Sequence, residues 1–302
     1  MNDELKIGLA LGSGSSRGWT HIGIIKELAT LGITPDIVCG TSVGAMVGAA
    51  YVMGNLEKLE NWACSVTRLD VAKFLDINMS MTGFVHKKRF HEFLNDYIAG
   101  DDDLIEDQEK TYAAVSTDME SGREIWSTEG PMIQAVWSSM SLPGLFPAIR
   151  NDHRWLIDGG LVNPVPVSVC RALGADVVIA VNLNGDIVGK HFQKSSALKV
   201  ENNSIGGKLS ELVKEYTNLS LFEAKEDDEQ TPGLLNAIAA SVNITQDRIT
   251  RSRMAGDPPD IMISPKLSDI GLLELYRAEE AINKGRECVQ RKISEIEYVL
   301  GE

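Results

Sequence analysis

Residues 40–44 read Gly40-Thr41-Ser42-Val43-Gly44, the spacing Gly-x-Ser-x-Gly. In such a pentapeptide a tight turn from strand to helix lifts the serine hydroxyl clear of the backbone, and the flanking glycines permit the close approach that the turn imposes. A helix starting at the serine also aims the positive end of its dipole at the hydroxyl, where it would stabilise a developing alkoxide. Ser42 is therefore a candidate nucleophile, with Gly40 and Gly44 as the elbow. Acyl transfer further needs a base and a place for the negative charge that forms on the attacked carbonyl. The run Gly12-Ser13-Gly14-Ser15-Ser16-Arg17-Gly18 can supply the second. Successive unhindered backbone N–H groups leading into a helix make an anion-binding nest. Nucleotide binding fits this run poorly. A P-loop would end in Gly-Lys followed by Ser or Thr, the third glycine is one residue late for a dinucleotide fingerprint, and Asp36 precedes the second strand instead of ending it.

The base is less evident. Of the five histidines, only His191 follows a plausible acid in the order serine, acid, histidine, and it lies in the polar stretch GKHFQKSS with no strand before it. His21 stands a few residues past the glycine loop and is expected to be structural. Asp158, in IDGGLVNPVPV, ends a short apolar segment with two glycines behind it, so its carboxylate could reach into a cleft. The same acid-glycine sequence is also an ordinary turn, and both readings stay open from these residues alone. The four cysteines are far apart, with no Cys-x-x-Cys pair, and are expected to be buried free thiols, so neither a metal nor any other cofactor is implied.

The elements around these residues are legible. Lys6 to Leu11 is a short apolar strand, and Ile22, Ile25, Leu28 and Ala29 then recur at helical spacing up to Gly32. Ile37 to Cys39 is a second buried strand. The run after Ser42 is apolar nearly all round, as a buried helix requires. Two strand-loop-helix units in succession predict a parallel sheet covered on both faces. Residues 55–100 are expected to be helical, with one stripe at Leu56, Leu59, Trp62 and Ala63 and another at Phe90, Phe93, Leu94 and Ile98. Lys110 to Thr117 and Arg123 to Ser127 suggest a hairpin, Pro131 opens a helix, and Ala175 to Leu183 and Asp260 to Ser264 suggest further strands. Residues 184–232 are polar, with an acidic patch at 223–230, and are expected to form a solvated insertion; residues 272–300 suggest one closing amphipathic helix. A single domain over residues 1–302 is expected.

Composition narrows the function classes. With 302 residues, 43% of them hydrophobic, the chain can bury a large core, and its net charge of -14 would repel a phosphate backbone, which argues against nucleic acid as a partner. No apolar run approaches the ~18 residues of a membrane span, and the first residues lack a basic then apolar leader, so a cytoplasmic location is expected.

Taken together, the motifs resemble the patatin-like phospholipases, and among them the small bacterial RssA-like subfamily. The matching pieces are residues 12–23 for the family's glycine-rich segment, Gly40 to Gly44 for its elbow, Ala135 to Pro147 for Ser-x-x-x-Pro-Gly-x-Phe-Pro, and Asp158-Gly159-Gly160 for Asp-Gly-[Gly/Ala]. Ser13 departs from the usual glycine. The resemblance implies a three-layer α/β sandwich with a mainly parallel sheet, and a Ser42-Asp158 dyad without histidine. It further implies amides around Gly14 and Ser15 holding the oxyanion, and hydrolysis of lipid acyl esters without calcium. Arg17 is expected to anchor the loop. Met79, Met81, Phe84, Leu145 and Phe146 could line an acyl pocket or simply pack the core. Membrane contact, given the charge, should be transient. An acyltransferase, or a regulatory protein that keeps the fold without turnover, stays open beside the hydrolase.

Overall fold

A computed structural model of the chain describes residues 5–74, 87–187 and 234–301. Its centre is an eight-stranded mixed sheet. Strands β1 (Ile7–Leu11), β2 (Ile37–Thr41), β3 (Thr111–Asp118), β4 (Glu124–Ser127), β5 (Ile149–Asn151), β6 (Arg154–Asp158), β7 (Val177–Val181) and β8 (Ile261–Ile263) follow the hydrogen-bonded path β5-β6-β3-β2-β1-β7-β8, with β4 also paired to β3. The β1–β2, β1–β7, β2–β3 and β7–β8 pairs are parallel. The hairpin β3–β4 and the pairs of β6 with β3 and β5 are antiparallel.

Side chains alternate across this sheet with the period of two that a pleated strand imposes. Leu9, Leu11, Val38, Ala114, Ile179 and Val181 enter one core with helices α1 (Thr20–Thr30), α2 (Val43–Val52), α3 (Leu56–Ser65), α5 (Lys87–Tyr97) and α6 (Met132–Met140). Ala10, Cys39, Ala113, Val115, Val178 and Ala180 enter a second core with α7 (Val167–Ala172) on the other face. Apolar residues on both faces of the same strands are what a sheet buried between two helical layers requires. The short α4 (Arg68–Phe74) follows α3.

Strand register does most of the work of placing the site. Leu11 is opposite both Gly40 and Val181, so β1, β2 and β7 end at one level and the loops after β1 and β2 emerge side by side. On β3, both β2 and β4 pair with Ala114 and Val115 and so take opposite edges, while β4 and β6 both pair with Ser116 and Thr117 and do likewise. Strands β2 and β6 therefore lie end to end along one edge of β3. Thr41 is opposite Val115 and Asp158 is opposite the next residue, Ser116, so the residue that leaves β2 meets the residue that ends β6.

Three expectations need amendment. The segment 272–300 is not one helix: a 3-10 turn at Leu275–Arg277 leads into α9 (Ala278–Gln290), and α10 (Ile293–Leu300) follows after a break. Helix α8 (Leu234–Gly256), between the polar stretch and β8, is missed by the sequence reading altogether. Cys64 is exposed, whereas Cys39, Cys170 and Cys288 are buried free thiols as expected. The polar stretch itself lies mostly outside the described residues, as do the acidic patch and His191. Among the described residues, no helix is long and apolar enough to cross a membrane.

Candidate functional site

Ser42 sits between β2 and α2 with φ 56° and ψ -123°, a left-handed conformation rare for a residue with a side chain. Glycines on either side make the turn possible. A Cβ on Gly40 would lie 2.4 Å from the Cα of Ala45, and one on Gly44 would lie 2.1 Å from the carbonyl oxygen of Leu11. The Ser42 amide donates to the Ser139 hydroxyl at 2.8 Å, and Ser139 in turn donates to the Val115 carbonyl on β3. Thus the serine of the Ser-x-x-x-Pro stretch pins the elbow to the sheet, a role that its spacing alone does not reveal.

Asp158 faces the elbow from the end of β6. Its Oδ2 accepts the Ser42 hydroxyl at 2.6 Å and its Oδ1 accepts the Gly160 amide at 2.7 Å. Its own backbone is fixed by the amide donating to the Ser141 carbonyl and by Thr117 Oγ1 donating to its carbonyl oxygen. The side chain is 1% exposed. Burial raises its pKa from 3.8 to about 6, against the downward pull of the hydrogen bonds from Ser42 and Gly160. Such a carboxyl is ionised at neutral pH yet far more basic than an ordinary aspartate.

The glycine loop divides by the fate of its amides. Gly12 donates to Val181, Ser13 to Pro164, Ser16 to Leu272 and Arg17 to Gly14, all backbone carbonyls. Among the described residues the amides of Gly14 and Ser15 find no such acceptor, and Ser15 carries a positive φ of 52°. Two free amides beside a left-handed residue form a nest for an anion. The 3-10 helix Ser15–Trp19 carries the rest of the loop to Gly18. Arg17 is 1% exposed and binds the loop to α8, its Nε donating to Gly14 O at 3.1 Å and its Nη2 to Asn243 Oδ1 at 2.9 Å. Burial lowers its pKa to about 10, which leaves it charged. The Ser13 hydroxyl, the departure from glycine, donates to Gln246 Oε1 at 3.0 Å.

His21 is fully buried, with Nε2 2.8 Å from the Gly12 carbonyl, and burial lowers its pKa to about 4. A neutral ring therefore donates through Nε2 to that carbonyl and supports the loop from behind. Ser42 and Asp158 bond directly, and among the described residues no imidazole stands between them.

A cavity of about 100 Å³ opens on Ser42 and Asp158. Gly14, Ser15 and Arg17 are at its polar end, and Met46, Trp62, Phe90, Phe93, Leu145 and Phe146 line the apolar remainder. The rings pack on one another, with centroids 4.4 Å apart for Trp62–Phe93 and 4.8 Å for Phe90–Phe146. Leu145 and Phe146 line this cavity, and Phe146 also packs against the main core; Met79, Met81 and Phe84 lie outside the described residues. Helix α8 closes the cavity with Val242, Asn243 and Gln246.

Comparison with known proteins finds relatives by sequence. An uncharacterised NTE family protein of Mycobacterium tuberculosis is 28% identical over 97% of this chain and 92% of its own length. The lysophospholipase NTE1 of Yarrowia lipolytica is 35% identical over 59% of this chain, and the rat patatin-like phospholipase domain-containing protein 7 is 34% identical over the same share. The chain spans only 12% and 13% of those two larger proteins. Among solved structures, VipD from Legionella pneumophila aligns with a TM-score of 0.46 at 11% identity over 97% of this chain and 67% of its own. The profile described as patatin-like phospholipase matches residues 9–171, a span that begins in β1, takes in the glycine loop, the elbow and the Asp158 turn, and ends in α7. The chain belongs to the patatin-like phospholipase family.

Proposed function

We propose that the chain hydrolyses acyl esters of phospholipids or lysophospholipids through a Ser42-Asp158 dyad and an acyl-enzyme. The observation that carries this reading is the direct bond, at 2.6 Å, between the hydroxyl of a strained strand-to-helix turn and a buried carboxylate. Asp158, made basic by burial, takes the proton as Ser42 Oγ attacks the ester carbonyl. The oxyanion then forms against the amides of Gly14 and Ser15, and the N-terminus of α2 favours the same charge. Collapse of this intermediate expels the alcohol, which takes the proton from Asp158. Water, deprotonated by the same carboxylate, next attacks the acyl-enzyme, releases the fatty acid and restores the serine.

A single-chain lipid suits the narrow aromatic cavity, and the Yarrowia relative, a lysophospholipase, points the same way. With a net charge of -14, contact with an anionic bilayer should be brief. A fluorophosphonate probe tests the dyad. We expect adduct at Ser42 by peptide mass spectrometry and near-complete loss of labelling in Asp158→Asn. Adduct elsewhere, or undiminished labelling of the variant, would overturn the reading. Release of fatty acid from lysophosphatidylcholine checks the substrate class.

A further inference from the structure

Gln246 lies on α8, outside every motif that the sequence reading singles out and outside residues 9–171. Its side chain is 5% exposed and lines the same cavity as Ser42 and Asp158. Which end of its amide faces Asp158 is decided by its neighbours. Asn184 Nδ2 lies 3.2 Å from the carbonyl oxygen of Ser13, and because a carbonyl can only accept, the Asn184 atom there must be the NH2 group. The same NH2 lies 2.9 Å from the Gln246 amide, so Gln246 presents its oxygen to it, and that oxygen also accepts the Ser13 hydroxyl at 3.0 Å.

With the oxygen committed, Nε2 points the other way. It lies 2.4 Å from the position that a Cβ on Gly160 would occupy, and Asp158 Oδ1 lies 2.9 Å from that same position. The missing side chain of Gly160 is thus the gap through which Nε2 comes beside the carboxylate. Among the described residues no protein acceptor takes the protons of Nε2. Ser13, the family departure, is half of the clamp that fixes this orientation.

We infer that Gln246 Nε2 holds the hydrolytic water beside Asp158 during deacylation, an inference that rests on the acyl-enzyme proposed above. Nε2 donates to the water oxygen, and the water donates one proton to Asp158. As that proton transfers, the water oxygen bonds to the acyl carbon. The C–Oγ bond to Ser42 then breaks, and Oγ recovers the proton from Asp158. Acylation itself makes no use of Nε2.

The experiment separates the two steps. Gln246→Met keeps the volume and removes both polar atoms, and with them the clamp on Ser13 and Asn184; Gln246→Glu keeps an acceptor for both, and replaces the donor by a second carboxylate oxygen. With a chromogenic p-nitrophenyl ester, Gln246→Glu, which keeps the clamp on the glycine loop, is expected to keep a burst near one equivalent per Ser42 while steady turnover falls at least tenfold. Its fluorophosphonate labelling rate should stay within threefold of the unaltered chain. Hydroxylamine, a nucleophile less dependent on a positioned base, should bring deacylation of Gln246→Met back to within about threefold. Unchanged steady turnover in Gln246→Glu overturns the inference. So does a parallel loss of labelling and turnover in both variants, or a defect in Gln246→Met that hydroxylamine leaves in place, because each assigns the residue to loop architecture instead of to water. Absence of label at Ser42 in the unaltered chain would instead remove the nucleophile on which both readings stand.

Discussion

Replacing Asp158 by Asn should abolish turnover and at the same time stabilise the protein at neutral pH. The carboxyl is 1% exposed and its pKa stands at about 6 in the folded chain against 3.8 ordinarily, with the hydrogen bonds from Ser42 and Gly160 already included in that value. Between these two values the unfolded chain is ionised and the folded one still holds its proton. As pH rises through this window, stability supplied by the neutral form is therefore lost, and above about pH 7 the deficit is constant. A shift of about two pKa units corresponds to about 3 kcal/mol, or roughly 5 °C in midpoint for a chain of this size. Asn keeps the shape, can accept from Gly160 through its oxygen and can donate to Ser42 through its nitrogen, so the substitution removes the buried charge and little else. Thermal unfolding of both forms from pH 4 to pH 8 checks this. The two midpoints should nearly coincide at pH 4 and diverge up to pH 7, with the variant the more stable. An Asn variant that is equally or less stable at pH 7.5 would refute the claim that desolvation dominates at Asp158. The same ionisation should appear in the proposed catalysis: kcat/KM of the unaltered chain should rise about tenfold per pH unit below 6 and level off above 7.

The elbow supplies a second test. Ser42→Gly and Ser42→Ala both remove the hydroxyl, but only glycine accepts φ 56° without strain, so denaturant unfolding should find Ser42→Gly more stable by about 1 kcal/mol; equal values would mean that the turn stores no strain. Gly44→Ala places a methyl 2.1 Å from the Leu11 carbonyl and should cost about 3 kcal/mol while shifting the glycine loop, to be read as a lowered denaturant midpoint with loss of esterase turnover. His191→Ala should leave turnover of a short-chain chromogenic ester within about threefold, because Ser42 and Asp158 bond directly and leave no place for an imidazole between them; a fall by orders of magnitude would restore a triad.

The parts of the fold and site that rest on local pattern were legible in the sequence, and those that rest on register or on distant chain were not. Strands such as Val177–Val181 announce themselves as unbroken apolar runs because both of their faces are buried. The glycine spacing around Ser42 is legible because it reports backbone contacts with Leu11 and Ala45 that any side chain would prevent. The pairing of Ser42 with Asp158 is different. It comes from β2 and β6 sharing one edge of β3, and no spacing between residues 116 positions apart encodes that; only the family resemblance suggested it. Helix α8 escaped for a further reason. Among its described side chains Asn243, Gln246, Asp247 and Thr250 take buried positions while Ile244 is exposed, so the apolar stripe that marks an ordinary core helix is broken.

That breakage is itself informative. A helix that spends buried positions on amides forgoes hydrophobic stabilisation, and each buried polar group must find a partner or leave a penalty of about 1–3 kcal/mol. On α8 the partners are the parts of the site that must not move: Asn243 takes the Arg17 guanidinium, and Gln246 takes the Ser13 hydroxyl and the Asn184 amide. The glycine loop, left to itself, is a flexible run of small residues held by a few backbone bonds, and flexibility there would cost the oxyanion its prepaid orientation. Rigidity is therefore imported from a helix some 230 residues downstream, through side chains instead of through regular structure. The cavity wall and the brace for the nest are then one element, so a change on the polar face of α8 should disturb turnover before it disturbs the sheet.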